Sequence, residues 1–346
     1  MHGLFQRAAR VAADRFAPRF APRFAARLAA LPLALLALSG VNAFAQDWPT
    51  KPITVIVPFP AGGGTDLVVR SVQVALQKQL GQQLVIDNRA GAGGTIGSGM
   101  VARANPDGYT VGIATTSTHA VSTGVYKKLS YDPVKDFAYG GLIGTSPYVL
   151  VANPQLKATD MKSFVAALRE RPEGASFASV GAGTVSHLLG EKFKDVVKAP
   201  KSPLVHVPYR GAAPAYTDLI GGQVQFMFDN PVGLAPYIHA HKLTAIASTA
   251  PDALLVGVPT FAQAGVPGFD QTLWYGFAFP KDTPPKVVEK FNRALAAVLS
   301  DRTVAADLAS KGVSATPGSS AAMQATVARD APFWRGIAQA AGATAD

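Results

Sequence analysis

The sequence predicts an α/β protein of two domains with a ligand cleft between them, and three observations support this fold class. The chain has 346 residues, which is long enough for two hydrophobic cores. Apolar strands alternate with helical segments along most of its length, a pattern typical of sheets with parallel strands. A unit of strand, glycine-rich turn and helix occurs twice, at residues 53–80 and 175–197.

The first unit begins with an apolar strand at residues 53–57 and ends with an amphipathic helix that Gly81 terminates. Three consecutive glycines between them permit a tight turn that leaves the N–H groups of the helix start open to an anion. The alternative is a tight turn that binds nothing. A carboxylate or a phosphate would fit there, and the residues predicted to bind it are Phe59, Ala61, Gly62, Gly63, Gly64, Thr65 and Asp66.

The second unit repeats this pattern in the other half of the chain. A strand at residues 175–180 leads into a glycine-containing turn and a helix at residues 185–197. Two helix starts that face one cleft could hold the same anion from both sides. The residues predicted to bind in this half are Gly181, Ala182, Gly183, Thr184 and His187.

Polar residues also follow two further predicted strands, at the position where open α/β sheets bind ligands. Thr116, Ser117 and His119 follow the strand at residues 111–115, and Asp229 ends the strand at residues 224–228. These side chains are candidates for contacting a ligand, and the alternative is that they are ordinary polar residues of the loops. Asp66 and Asp229 are both candidates for binding the ammonium group of an amino acid, although Asp66 also suits the first turn of a helix without any ligand.

Other function classes find little support in the sequence. Gly91-x-Gly93 lacks the spacing and the strand-ending acid of a dinucleotide site, and His239-Ala240-His241 is a weak metal pattern. Ser179 or Thr184 near His187 could be a nucleophile and its base, but an oxyanion pocket uses the same residue types. We therefore predict no catalytic residue, no metal and no cofactor.

The first 45 residues have the composition of a secretory signal peptide. They combine an arginine-rich start, an apolar run at residues 28–38 and the small-x-small sequence Ala43-Phe44-Ala45, so the mature chain is predicted to begin at Gln46. Removal of this segment lowers the net charge from +10 to +5, and no basic stripe remains that would predict nucleic-acid binding. The absence of cysteine is compatible with a bacterial periplasm.

Several motifs in a fixed order resemble the Bug/TctC family of periplasmic receptors of tripartite tricarboxylate transporters. The motifs are Trp48-Pro49-x-Lys51-Pro52-Ile53, Pro58-Phe59-x-Ala61-Gly62-Gly63-x-Thr65-Asp66, Asn88-Arg89-x-Gly91-Ala92-Gly93-Gly94, Pro106-Asp107-Gly108-Tyr109-Thr110 and Val207-Pro208-Tyr209-Arg210-Gly211. The resemblance covers essentially the whole mature chain. It implies a two-lobed periplasmic binding protein fold, type II-like, that closes on a small carboxylate between the lobes.

The resemblance also implies how the parts are used. Lobe 1 is expected at residues 46–147 plus 270–346 and lobe 2 at residues 148–269, and backbone N–H groups of the two glycine turns would hold the carboxylate. The expected partners are the small carboxylate, which is a dicarboxylate, an amino acid or another organic acid, and the integral membrane subunits of the transporter. The receptor is expected to be monomeric. The alternative function is a periplasmic hydrolase of a small carboxylic ester or amide.

Overall fold

Two β-sheets with helices packed against them make up the computed structural model, which describes residues 48–198 and 203–345. The predicted signal peptide at residues 1–45 lies outside these residues. The strands are β1 Ile53–Val57, β2 Leu84–Asn88, β3 Thr110–Thr115, β4 Phe137–Ser146, β5 Val149–Ala152, β6 Ala175–Ser179, β7 Leu204–Pro208, β8 Phe226–Asp229, β9 Thr244–Ser248, β10 Leu273–Pro280 and β11 Ser314–Ala315. The helices are α1 Gly64–Leu80, α2 Thr95–Ala102, α3 Ser122–Val125, α4 Met161–Arg169, α5 Val185–Val197, α6 Ala212–Ile220, α7 Pro231–His239, α8 Pro285–Leu299, α9 Arg302–Ala309 and α10 Ser320–Ala340.

The first sheet has the strand order β11-β4-β10-β3-β1-β2. Strand β1 runs parallel to β2 and β3, with Val55 opposite Ile86 on one side and Val111 on the other. Strand β10 is antiparallel to both β3 and β4. Helix α1 covers this sheet with a fully buried face that includes Val68, Val72 and Leu76, as its apolar periodicity predicts.

The second sheet has the order β7-β6-β8-β5-β9 and repeats the arrangement of the first. Here β6 lies parallel to β7 and β8, and β5 is antiparallel to β8 and β9. The chain passes from β4 in the first sheet to β5 in the second through Pro147 and Tyr148, and it returns before β10. We call the first sheet with its helices lobe 1 and the second sheet with its helices lobe 2.

The parallel strands determine where a ligand site can lie. Strands β1 and β3 of lobe 1 and strands β6, β7 and β8 of lobe 2 all end near the boundary between the lobes, where loops from both sheets meet. None of the helices in the described ranges is long and apolar enough to span a bilayer.

Candidate functional site

A cavity lies where the strand ends of both lobes converge. About 470 Å3 of empty space lies between its walls, including the part open to solvent. We call this space the cavity. Its lining residues are Phe59, Pro60, Gly63, Gly64, Thr65, Thr115, Ser117, Tyr148, Val180, Gly211, Ala212, Asp229, Asn230 and Leu273.

A larger space of about 1220 Å3, which we call the outer groove, adjoins the cavity. The two spaces share Phe59, Pro60, Val180 and Gly211 as lining residues. The other residues of the outer groove are Ala90, Gly91, Ala92, Gly93, Gly94, Ile96, Tyr126, Gly181, Ala182, Pro208, Tyr209, Arg210 and Ala345.

The start of α1 forms one wall of the cavity. Gly63 is the N-cap residue and makes no side-chain cap, so the N–H groups of Gly64 and Thr65 are not occupied by a capping side chain. These N–H groups lie at the positive end of a helix of 17 residues. This wall therefore suits a carboxylate, as the sequence predicts for the first glycine turn.

The start of α6 forms the opposing wall. Its N-cap residue, Gly211, has φ 112°, a backbone conformation that favours glycine, and it makes no side-chain cap. A Cβ atom at Gly211 would lie 2.7 Å from Cγ of Pro60 in lobe 1. Glycine at this position thus lets lobe 2 approach the first turn closely, and it brings a second uncapped helix start to the cavity.

Asp66 stabilises the first turn from within. Its carboxylate accepts hydrogen bonds from the Gly62 N–H at 2.9 Å, from Arg70 Nε at 2.8 Å and from Asn88 Nδ2 at 3.1 Å. Burial raises the pKa of Asp66, but these hydrogen bonds outweigh it and hold the pKa below its usual value. Asp66 does not line the cavity, which favours the ligand-independent role for this residue.

Asp229, by contrast, lines the cavity. Its Oδ2 accepts a hydrogen bond from the Tyr216 hydroxyl at 2.7 Å, and its Oδ1 accepts one from the Asn230 N–H at 2.8 Å. Burial raises the pKa of Asp229 to about 6 even though these hydrogen bonds act to lower it. The carboxyl group therefore titrates near neutrality at the wall of the cavity.

The second glycine turn lies beside the cavity rather than at it. The N–H of Gly181 donates to Ser179 Oγ, the N–H of Gly183 donates to Nδ1 of His187, and the N–H of Thr184 donates to Gly181 O. The first N–H groups of α5 are occupied as well, because Val185 donates to Ser117 Oγ at 3.1 Å and the Thr184 side chain caps the helix. The N–H groups of Gly181, Gly183, Thr184 and Val185 are therefore used in hydrogen bonds within the protein.

Two of the predicted strand-end residues are also part of the interior. The Thr116 hydroxyl accepts a hydrogen bond from the Trp274 N–H at 2.9 Å and joins the end of β3 to β10. His119 is buried among the rings of Tyr131, Phe137 and Tyr139, and its burial lowers its pKa to about 3. Neither residue lines the cavity.

His187 belongs to a cluster in lobe 2 with Glu191 and His206, whose ligand atoms lie within 4.8 Å of one another. The hydrogen bond from the Gly183 N–H to Nδ1 of His187 places the proton of the neutral ring on Nε2, which faces Glu191 at 3.7 Å. The other Glu191 oxygen lies 2.7 Å from Lys194 Nζ. The groups are thus arranged as hydrogen-bond and charge partners, an arrangement poorly suited to binding a metal through His187 Nε2.

A serine and histidine pair exists, but not with the histidine considered in the sequence. Ser179 Oγ lies 2.7 Å from Nε2 of His206, whose ring stacks on that of His187. Ser179 is fully buried and lines neither the cavity nor the outer groove. A nucleophile must reach its substrate, and this hydroxyl does not face either space.

The structure therefore brings six of the sixteen predicted site residues to the cavity. These six are Phe59, Gly63, Gly64, Thr65, Ser117 and Asp229. Gly181 and Ala182 line the outer groove, while the other eight line neither space: Ala61, Gly62, Asp66, Thr116, His119, Gly183, Thr184 and His187.

The sequence analysis did not predict Gly211 and Asn230, which both line the cavity. Each had a usable signal. Gly211 ends the Val207–Gly211 motif just before a helix, and Asn230 precedes Pro231, a combination typical of a helix N-terminus. The lining residues Pro60, Thr115, Tyr148, Val180, Ala212 and Leu273 were also not predicted.

Two α/β lobes with a cavity between them, supplied with an uncapped helix start from each side, define a two-lobed solute-binding protein. The comparisons with known proteins then give the family. The family described as "Tripartite tricarboxylate transporter family receptor", TctC, matches residues 68–342. The chain belongs to this family, which confirms the resemblance and the fold class predicted from the sequence.

Individual relatives agree with this assignment. Protein BugT of Bordetella pertussis is 33% identical over 313 residues, covering 89% of this chain and 95% of that protein. The solved structure of R. palustris Rpa4515 with adipate has a TM-score of 0.81 and 33% identity, covering 86% of this chain and 99% of that one. MatC from Rhodopseudomonas palustris with bound malate has a TM-score of 0.79 and 31% identity, covering 84% and 99%.

Proposed function

We propose that this protein is a periplasmic receptor that captures a small organic acid in the cavity and delivers it to the integral membrane subunits of a tripartite tricarboxylate-type transporter. One observation carries the proposal: two uncapped helix starts, at Gly64 and Ala212, meet at one cavity from opposite lobes. The family membership and the relatives solved with adipate and malate support it.

The energies are sufficient for a receptor. A hydrogen bond to a charged group contributes about 1.5–3 kcal/mol, and a helix terminus contributes about 0.3–1 kcal/mol. Four such donors would supply the roughly 8 kcal/mol that corresponds to micromolar affinity, after losses to ordering. The binding site therefore has no need of an arginine or lysine contact.

Thermal unfolding with matched acids and amides tests the proposal. Malate and adipate are each compared with their diamides at equal ionic strength, since the amides keep the carbon skeleton but lose the negative charge. At least one acid should raise the unfolding midpoint, because about 2.7 kcal/mol of stabilisation accompanies a hundredfold excess over the Kd. Equal shifts from acid and amide would remove the anion-binding argument.

The identity of the natural ligand is best sought in protein purified without denaturation. Mass spectrometry of the small molecules released on unfolding should find an organic acid in stoichiometric amount. Delivery is tested separately, by uptake of that acid in cells with and without the receptor. The hydrolase alternative predicts instead that a carboxylic ester or amide is consumed, and an assay for free acid decides between the two.

A further inference from the structure

Asn230 presents a buried hydrogen-bond acceptor that nothing in the described residues satisfies. The residue is 8% exposed, it lines the cavity, and its Oδ1 has no partner. A Cβ atom built on Gly64 would lie 2.8 Å from this Oδ1, so the oxygen faces the start of α1. A buried acceptor without a donor is costly, and such an atom in a native protein calls for an explanation.

Asp229 fixes the orientation of the Asn230 amide. Nδ2 of Asn230 lies 3.2 Å from Oδ1 of Asp229, and the Asn230 N–H donates to the same oxygen. Exchange of the amide nitrogen and oxygen would place two acceptors against each other. The Tyr216 hydroxyl holds the other Asp229 oxygen. The Asn230 amide is therefore held with its oxygen towards the start of α1.

The cavity consequently combines two opposite requirements within a short distance. The uncapped helix starts at Gly64 and Ala212 offer N–H donors, which a carboxylate satisfies. Asn230 Oδ1 offers only an acceptor, which a carboxylate cannot satisfy because it too is an acceptor. A hydroxyl or ammonium group on the carbon beside the carboxylate would supply the missing donor.

We propose that Asn230 Oδ1 is a specificity determinant that selects organic acids carrying a hydrogen-bond donor beside the carboxylate. This inference rests on the proposed function, because it concerns the same cavity. It distinguishes 2-hydroxy and 2-amino acids from simple alkanedioates. A site that leaves a polar group unpaired with the wrong ligand discriminates more strongly than one that only loses an apolar contact.

The charge on Asp229 separates the two kinds of donor. The Asp229 carboxyl contacts the Tyr216 hydroxyl and interacts electrostatically with Tyr148 and Tyr275, and all three tyrosines are uncharged and buried. An ammonium group would gain from the ionised Asp229 as well as from Asn230, whereas a hydroxyl group needs only the Asn230 oxygen. Hydroxyl and ammonium groups would thus make the same hydrogen bond to Asn230 Oδ1, but only the binding of an ammonium group would depend on the charge of Asp229.

Calorimetric titration of matched acids tests the proposal. Three series are used, each with an unsubstituted, a 2-hydroxy and a 2-amino member: succinate, malate and aspartate; glutarate, 2-hydroxyglutarate and glutamate; adipate, 2-hydroxyadipate and 2-aminoadipate. In the chain length that binds best, a substituted member should bind at least tenfold more tightly than the unsubstituted one. Equal affinities within that series would overturn the inference but leave the proposed function intact, whereas binding of no acid at all would contradict the proposed function itself.

The variant Asn230→Leu tests whether Asn230 causes the preference for the substituted acids. Asn230→Leu keeps the branched shape and the number of side-chain heavy atoms and removes the acceptor, and the Asn230 side chain makes no helix cap that would be lost. Its ratio of affinities for the substituted and unsubstituted acids should fall to within about twofold of one. The matched control Asn105→Leu makes the same exchange at an exposed position that lines neither the cavity nor the outer groove, and it should leave the ratio unchanged. A wild-type preference that persists in a folded Asn230→Leu protein would show that another group is responsible.

Discussion

Two aspartates near the cleft show how the environment of a single residue decides its role. Asp66 accepts hydrogen bonds from Arg70, Asn88 and the Gly62 N–H, and these bonds stabilise the first glycine turn. Asp229 receives its hydrogen bonds from Tyr216 and Asn230, without a cationic partner, and it lines the cavity. The pKa of Asp66, which is paired with Arg70, is lowered. The pKa of Asp229 is raised, because this carboxyl is buried without a counter-ion.

The raised pKa of Asp229 predicts a pH dependence of stability in the unliganded protein. Between pH 3.8 and about 6 the folded state keeps a proton that the unfolded state has released, so this residue destabilises the fold progressively as the pH rises. The full effect is on the order of 3 kcal/mol. Urea unfolding of wild type and Asp229→Asn at pH 4, 5, 6 and 7 should show the variant gaining stability relative to wild type up to about pH 6 and no further gain above it. A stability difference independent of pH would contradict the assignment.

At the scale of elements, side-chain capping distinguishes the starts of α1 and α6, which line the cavity, from the start of α5, whose first N–H groups are occupied. Helices α1 and α6 begin after glycines and have no side-chain cap, while α5 has both Thr184 and Ser117 at its first N–H groups. Each N–H group can be satisfied once, either by the protein or by a ligand. The cavity is lined by the uncapped starts of α1 and α6 and by Asn230, the N-cap residue of α7, which also makes no side-chain cap.

Gly64→Ala tests the approach of α1 to lobe 2. A methyl group at this position would lie 2.8 Å from Asn230 Oδ1, and either the asparagine or the lobe must shift. Ligand affinity should fall at least tenfold in a titration, because this shift displaces a wall of the cavity. The matched control is Gly336→Ala in α10, where a Cβ meets nothing within 4 Å. Equal affinities of both variants would mean that this contact is not part of the bound state.

For the molecule as a whole, polar contacts join the two lobes both at the cavity and beside it. The Tyr126 hydroxyl of lobe 1 donates to Ala182 O of lobe 2 at 3.1 Å, and Ser117 accepts from the Val185 N–H. Such contacts stabilise the arrangement in which both helix starts face one ligand. A ligand that touches both lobes binds that arrangement better than an open one, and this difference in affinity shifts the population towards closure.

Tyr126→Phe should therefore weaken ligand binding without a direct contact to the ligand. Loss of one hydrogen bond of about 0.5–1.5 kcal/mol from the closed state predicts a two- to tenfold higher Kd. Solution scattering should show a smaller radius of gyration when ligand is added to wild type, and the variant should need more ligand for the same change. The control is Tyr139→Phe, since that hydroxyl donates to Pro133 O within lobe 1. A scattering curve that saturating ligand leaves unchanged would argue against closure.

The sequence by itself determined the family, the α/β class and the first glycine turn. These depend on local order: the strand at Ile53–Val57, the glycines that follow and the periodic apolar face of α1 are all encoded within about 30 residues. The repeat of strand, turn and helix in the second half of the chain was also recognisable from the sequence. Local patterns of this kind do not report which N–H groups the rest of the chain will occupy.

Only the tertiary structure decided which helix starts face the cavity. The turn at Gly181–Thr184 looks like the first one in sequence, but Ser179, His187 and Ser117 use its donors, and Ser117 is more than 60 residues away along the chain. Gly211, rather than this turn, lines the cavity from lobe 2, and it lies close to Pro60 of lobe 1. The burial that raises the pKa of Asp229 also depends on the packing of distant elements around it. Donor satisfaction and burial are properties of the packed chain, and for that reason the cavity could be predicted only in part.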